Sequence, residues 1–125
     1  MEPFFADVAQ IAEGNHDFRN VRYTGPHTQV VAMRLNPGEE IGRERHDVDQ
    51  VFLIVAGLAR VFIDDAVRDL EQGSLAVVPA GAWHNVANLG QNDLRLVTLY
   101  SPPEHPDGTV HHTRLDAIRA ELMPA

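Results

Sequence analysis

Apolar residues occur along the chain in short runs that are bounded by glycine, proline, asparagine or aspartate. Runs of this length and punctuation favour β-strands over helices. The run at residues 50–56 is apolar at nearly every position, so we expect a strand that is covered on both faces. The pattern predicts strands over residues 18–23, 28–35, 42–46, 50–56, 58–63, 67–70, 75–78, 83–88 and 94–100.

Helix signals lie on either side of the predicted strands. Asp7 can cap a short helix over residues 8–13 that ends at Gly14, and Thr113 can cap an amphipathic helix near the other end. The apolar stripe of that second helix comprises Leu115, Ile118 and Leu122. Closely spaced strands with a short helix on each side predict an all-β sandwich or barrel, and we expect one domain over residues 1–125.

The composition narrows the class of protein. The chain carries a formal net charge of −8, which argues against a nucleic-acid partner because such partners require a basic face. It contains no cysteine, so disulfides and thiolate metal sites are excluded and a cytoplasmic location is expected. No apolar run approaches the roughly 18 residues of a membrane span, and no basic stretch follows Met1, so we expect neither membrane insertion nor secretion.

Potential metal ligands cluster just before the longest apolar run. Glu44, His46 and Gln50 are separated by two and then four positions. Residues of equal parity in an extended chain point to the same side, so these three side chains are expected to face one way. His84 lies in a separate segment that is rich in glycine and proline, and it supplies a second imidazole. We expect all four side chains to converge inside a barrel.

Two spacings together resemble the motifs of the cupin superfamily. The first motif is matched in length by Gly38, Glu44, His46, Gln50 and Gly57. The second is matched at every position by Gly73, Pro79, Gly81, His84 and Asn88. The resemblance covers residues 35–100, and residues 100–111 look like the tail of small single-domain bacterial cupins that are often compared with sugar-phosphate isomerases.

The resemblance implies a double-stranded β-helix, or jelly-roll barrel, over about residues 28–100. It also implies one divalent metal ion in the barrel mouth, held by Glu44, His46, Gln50 and His84. In this chain Glu44 replaces the first histidine of the family motif and Gln50 replaces its glutamate. Two imidazoles, one carboxylate and one amide oxygen suit Fe(II), Mn(II), Ni(II), Co(II) or Zn(II).

Such a site predicts a metal-dependent enzyme that acts on a small polar or enolisable molecule, with Glu44 as the catalytic residue. An isomerase, a lyase or a dioxygenase could start from the same arrangement. One alternative is a non-catalytic cupin that binds or senses a small ligand, and another is a barrel that holds no metal. In the metal-free case, burial in an apolar barrel would raise the pKa of Glu44 and let it take a proton near neutral pH.

Several other polar and aromatic residues lie near the motifs. Arg43 and Arg45 have the opposite parity to Glu44 and are expected in solvent, whereas Trp83 is expected in the core or in an interface. The tail histidines are expected at the surface, with a lid over the barrel mouth as the alternative; they are His105, His111 and His112. The sequence leaves open whether Arg34 and Tyr100 enter the barrel.

The expected partners are a small-molecule ligand or substrate and a second copy of the chain. The run at residues 50–56 and the aromatic pair Phe4 and Phe5 require an apolar cover. A chain of 125 residues has little spare surface for that purpose, so we expect a homodimer.

Overall fold

The computed structural model of the protein describes residues 2–122, which fold mainly into antiparallel β-strands. The strands are β1 (Arg19–Thr24), β2 (Gln29–Leu35), β3 (Asp49–Ala56), β4 (Ala59–Ile63), β5 (Ala66–Leu70), β6 (Leu75–Val78), β7 (His84–Asn88), β8 (Leu94–Ser101) and β9 (Val110–His111). The helices are α1 (Val8–Glu13) and α2 (Arg114–Leu122).

The strands form two facing sheets. The larger sheet has the order β6-β3-β8-β2-β1-β9, and the smaller has the order β5-β4-β7. Strands that are distant in the sequence lie side by side, such as β3 beside β8, which is the connectivity of a jelly roll. The predicted all-β jelly-roll barrel with short helices on either side is therefore confirmed.

The space between the sheets is filled by alternate residues of each strand. In β3, the side chains of Gln50, Phe52 and Ile54 are buried in the interior, whereas the residues between them face outward. Tyr100 of β8 is also fully buried. Because side chains in a strand alternate between its two faces, the interior residues of β3 share one parity.

The outer face of β3 is covered in part by helix α1. Ile11 and Ala12 of the helix pack on Val97 of β8, together with Leu53 and Val55 of β3. Asp7 caps the helix as predicted, since its side chain accepts a hydrogen bond from the Gln10 N–H at 3.0 Å. The strand that is apolar on both faces thus receives much of its second cover from its own chain.

The predicted strand at residues 42–46 is an extended segment rather than a regular strand. It is joined to β7 by single-residue bridges, one between Glu40 and Ala87 and one between Glu44 and His84. Between the two bridges, Gly42 has a φ of 107°. That conformation turns its peptide groups away from the ladder, and the Gly42 N–H donates to the Asn85 side chain instead, at 2.9 Å.

Helix α2 begins where predicted but packs through a different face. The Thr113 hydroxyl accepts a hydrogen bond from the Asp116 N–H at 3.1 Å, which is the predicted N-cap. The predicted apolar stripe is wrong, because Leu115 and Leu122 are 53% and 75% exposed. The helix face that is directed toward the barrel forms one wall of a polar cavity. The residues of that wall are Arg114, Ala117, Ile118 and Glu121. Within residues 2–122, neither helix has the length and apolar character that crossing a membrane requires.

Candidate metal centre

The backbone of residues 44–46 is fixed against the second motif. Glu44 and His84 exchange two backbone hydrogen bonds, both of 2.9 Å. The Gly81 N–H donates to the His46 carbonyl at 2.8 Å. These bonds hold the two motifs together, so the side chains of Glu44, His46 and His84 enter the same part of the barrel.

Three of the four predicted ligands form a compact cluster. One side-chain donor atom from each of Glu44, His46 and His84 lies within 4.8 Å of the other two. His46 Nε2 is 3.8 Å from a carboxylate oxygen of Glu44, and the two imidazole ring centres are 5.2 Å apart. Donor atoms at these separations can share one ion with small side-chain adjustments, and the set of two imidazoles and one carboxylate suits a divalent first-row metal.

Each imidazole faces an oxygen acceptor on its Nδ1 side. His84 Nδ1–H donates to the Ala82 carbonyl at 3.1 Å, and His46 Nδ1 lies 3.4 Å from the carboxylate of Glu104. Both Nε2 atoms are buried and have no hydrogen-bond partner among residues 2–122. A partner on one ring nitrogen fixes the tautomer that leaves a lone pair on the other, and this is the usual arrangement of a metal-binding histidine.

Gln50 enters the barrel from β3. Its amide NH₂ donates to the Thr98 hydroxyl at 2.9 Å, which fixes the orientation of the amide. Its Oε1 atom is buried and, within the described part of the chain, has no hydrogen-bond partner. Buried polar atoms without partners are uncommon in native proteins. The unpartnered atoms of Gln50, His46 and His84 therefore fit a ligand that binds nitrogen and oxygen donors.

The charges at the cluster support one another. Burial opposes ionisation of Glu44, but the nearby His46 imidazole and the charge of Arg19 outweigh it, so the pKa of Glu44 is lowered. The raised pKa expected for an unliganded Glu44 is therefore wrong. Burial also opposes protonation of His46, but its contacts with Glu44 and Glu104 raise its pKa, whereas burial lowers the pKa of His84. The carboxylate stays ionised, as metal binding requires.

The tail after β8 folds over this part of the barrel. The buried Gln29 side chain accepts from the N–H groups of Glu104 and His105 at 3.2 and 3.0 Å, and it donates to the His105 carbonyl at 2.8 Å. The His105 ring centre lies 5.0 Å from that of Tyr100 and 6.5 Å from that of His46. The expected surface position is wrong for His105. Its position instead agrees with the alternative, in which the tail forms a lid over the barrel mouth.

Burial lowers the pKa of His105 to about 3, with a further contribution from the charge of Arg19. The other tail histidines lie farther out. His111 receives a hydrogen bond of 3.1 Å from Arg19, and His112 is exposed and contacts Asp17 at 2.6 Å. Tyr100 enters the barrel, where burial raises its pKa, and Arg34 lies outside, 3.9 Å from Asp93.

A cavity of about 510 Å³ lies beside the cluster. Glu44 and His46 form part of its wall, and so do Arg19 at the start of β1 and Trp83. Trp83 is 40% exposed and therefore lies outside the core, and the alternative expectation of a place in an interface stays a prediction. Arg43 points outward as expected, and its guanidinium lies 4.3 Å from the centre of the Trp83 ring. The volume is sufficient for a small molecule in contact with Glu44.

Three residues that shape the site could not be predicted from the sequence: Arg19, Gln29 and Glu104. The β1 and β2 patterns identify strands but not which strand carries a buried charge. A glutamate next to a histidine in a proline-rich tail is a weak signal, because such a segment is usually exposed. Only the packing of the tail on β2 brings Glu104 to His46.

Fold and site together define a class: a jelly-roll barrel whose interior presents two histidines and a carboxylate to a common point. The chain belongs to the cupin family, since the family model described as the cupin domain matches residues 31–100.

The chain is similar to several known proteins. It is 42% identical to the uncharacterised protein YrkC of Bacillus subtilis over 96% of this chain and 68% of that protein. The crystal structure of BH2720 from Bacillus halodurans is 35% identical and superposes with a TM-score of 0.93, covering 95% of this chain and 96% of the other. The structure of KdgF from Halomonas sp., at 24% identity, covers 69% of this chain and 78% of the other with a TM-score of 0.65, and it shows likeness of fold alone.

Proposed function

We propose that the protein binds one divalent metal ion through Glu44, His46, Gln50 and His84, and that it is a metal-dependent enzyme acting on a small polar or enolisable molecule. One observation carries the proposal. The donor atoms of His46, Gln50 and His84 are buried without partners in the described part of the chain, and the carboxylate of Glu44 lies beside the two histidines. Apolar packing alone would not retain such a set, because unsatisfied buried polar atoms destabilise a fold.

Bound in this place, a divalent ion supplies Lewis acidity to a substrate oxygen. The chain contributes the rest of the chemistry. Glu44 lines the cavity, and its lowered pKa keeps it ionised, so the carboxylate can accept a proton from a substrate in contact with it. The rings of Tyr100 and His105 lie edge-on to the His46 ring, with ring centres 5.9 and 6.5 Å away. Isomerase, lyase and dioxygenase reactions could all begin from this arrangement.

A titration of metal-free protein with Co(II), followed by visible absorption and calorimetry, tests the metal site. The wild type is expected to bind one ion per chain. His84→Gln should weaken binding by more than about a hundredfold, because loss of a ligand exceeds the 10–100-fold cost of losing an orienting partner. Gln50→Leu should weaken binding less, since a neutral amide oxygen is the weakest donor of the set.

His27→Gln is the matched control, because His27 is exposed and remote in sequence from both motifs. It should leave Co(II) affinity unchanged. Equal loss of affinity in the His27 and His84 variants, or no binding by the wild type, would contradict the proposed site.

The alternative function is a barrel that binds or senses a small ligand without turning it over. Glu44→Gln separates the two functions when metal is supplied at saturation. In an enzyme the substitution removes the proton acceptor and should abolish turnover of enolisable substrates, whereas a binding protein should retain its ligand with altered affinity. Oxygen uptake with Fe(II), Mn(II) or Ni(II) would indicate a dioxygenase, and activity with Zn(II) alone would exclude it.

A further inference from the structure

The guanidinium of Arg19 is buried in a place where no carboxylate reaches it. Arg19 is only 3% exposed, and among residues 2–122 no acidic side chain forms an ion pair with it. Its Nη1 group contacts His111 at 3.1 Å, and its side chain lies over the Phe18 ring at 5.3 Å. A buried cation is costly unless an anion compensates it.

One edge of this guanidinium is left without a partner. The Nε–H is buried and has no acceptor within the described part of the chain, while Nη1 is occupied by His111. Nε and Nη2 form the edge of a guanidinium that offers two parallel N–H donors. That geometry matches the two oxygens of one carboxylate.

Arginines are concentrated around the cavity that Arg19 lines. The chain has ten basic residues, all of them arginine, against eighteen acidic ones. Four of the arginines border this cavity, namely Arg19, Arg43, Arg45 and Arg114. None of the four has an ion-pair partner among the residues described. In so acidic a protein, this grouping creates a local field that attracts anions.

We propose that the cavity binds a small carboxylate-bearing molecule, whose carboxylate group pairs with the open edge of Arg19 while the rest of the molecule lies against Glu44 and His46. This inference rests on the proposed metal-dependent function and names the chemical class of its substrate. With a divalent ion at the cluster, the carboxylates of Glu44 and Glu104 balance the ion, and Arg19 remains without a counter-charge. A bound carboxylate supplies it.

The test follows the side-chain Nε–Hε NMR signals of metal-free protein during titration with succinate. Loss of one signal in Arg19→Lys assigns Arg19, and the indole N–H of Trp83, the single tryptophan, reports on the same cavity. Succinate should shift both signals saturably, and neutral succinamide should not. In Arg19→Lys and Arg19→Gln, the dissociation constant read from Trp83 should rise about tenfold or more, since hydrogen bonds to charged groups contribute that much.

Arg22→Lys is the matched control, because Arg22 lies on the same strand and is exposed. It should bind succinate like the wild type, and thermal melting verifies that each variant is folded. Three outcomes would overturn the proposal: equal succinate affinity in the Arg19 variants, equal shifts with succinamide, or tighter binding of inorganic phosphate than of any carboxylate tested.

Zn(II) is titrated separately into the same samples, so that the two proposals can fail independently. Intact Zn(II) binding with no succinate binding contradicts the carboxylate assignment alone. Succinate binding that depends on Arg19, with no Zn(II) binding, supports the carboxylate assignment and contradicts the metal site.

Discussion

At the scale of single residues, the contact between Glu104 and His46 concerns the orientation of a candidate metal ligand. Its carboxylate is 3.4 Å from Nδ1 of His46, and this contact leaves Nε2 of that ring free. Carboxylate partners of this kind orient a ligating histidine and increase its basicity. If His46 binds the proposed metal ion, we expect Glu104 to be a positioning residue that acts through His46.

Glu104→Gln is expected to weaken metal binding about tenfold to a hundredfold, because the amide keeps the shape of the side chain but loses its charge. Competition with a chromophoric chelator measures the affinity. Glu71→Gln, an exposed position in a turn, is the control and should bind metal normally. Unchanged affinity in the Glu104 variant would show that His46 needs no orienting carboxylate.

The burial of His105 should make the stability of the metal-free protein depend on pH. Burial lowers its pKa to about 3, so folding keeps the ring neutral while the unfolded chain takes up a proton as the pH falls below about 6.5. The unfolded state then binds more protons, and stability decreases toward acid. The contribution of one such group is at most about 1.4 kcal/mol per pH unit between those two values.

His105→Gln should therefore reduce the loss of unfolding free energy between about pH 6.5 and pH 4.5, as measured by urea unfolding of metal-free samples. His16→Gln, at an exposed histidine, should retain the slope of the wild type. Identical slopes in all three proteins would mean that His105 is not buried as described.

The candidate ligands could be predicted from the sequence because their spacing is local. Glu44, His46 and Gln50 lie within seven positions, and strand parity places them on one side. Arg19 and Glu104 could not be predicted, because their roles depend on which strand pairs with which and on where the tail lies. Strand pairing and the position of the tail are determined by long-range packing, and neither the hydrophobic periodicity nor the turn residues contain that information.

At the scale of elements, the glycines between strands differ in what they do. Gly57 has a φ of 93°, and a Cβ added there would lie 3.0 Å from the Asp93 carbonyl oxygen and from the Leu94 Cα. Gly73 has a φ of 90°, but a Cβ there would meet open space. Gly57 is therefore required both by the positive φ of the turn and by the close approach of the backbone at Asp93 and Leu94. Gly73 is required by the positive φ alone.

Gly57→Ala is expected to destabilise the protein by about 2–5 kcal/mol, the sum of left-handed strain and local overpacking. Gly73→Ala should cost only the strain, about 1–2 kcal/mol. Urea unfolding of both variants without metal gives the comparison. Equal losses would show that the contact with Asp93 and Leu94 is easily relieved.

Strand positions could be predicted well, because each strand is a short apolar run that ends at a turn. The extent of the segment 42–46 and the buried face of α2 could not. In the first case Gly42 interrupts the ladder by its backbone conformation, and in the second the helix borders a cavity instead of the core. Neither feature follows from the local propensity of the residues involved.

At the scale of the whole molecule, the outer face of the larger sheet has an apolar region beyond the reach of α1. Leu75 and Val77 of the edge strand β6 are 59% and 55% exposed. They pair with Leu53 and Val51 of β3, so they extend the outward apolar row of that strand. Exposed apolar surface that continues a sheet favours association, and the homodimer stays a prediction.

Light scattering at micromolar concentration is expected to give the mass of a dimer. Val77→Glu should shift the protein toward the monomer, because a charge would be buried in the contact. Val67→Glu places the same charge on an exposed valine of the smaller sheet and should leave the dimer intact. A monomeric wild type would contradict the prediction.

Elemental analysis of the purified protein tests whether buried donors from the two motifs hold one metal ion. The protein is produced in medium supplemented with Fe, Mn, Ni, Co and Zn and purified without chelators. We expect close to one divalent ion per chain in the wild type and a large loss of metal in His84→Gln. A wild-type content near zero, or equal contents in both proteins, would contradict it.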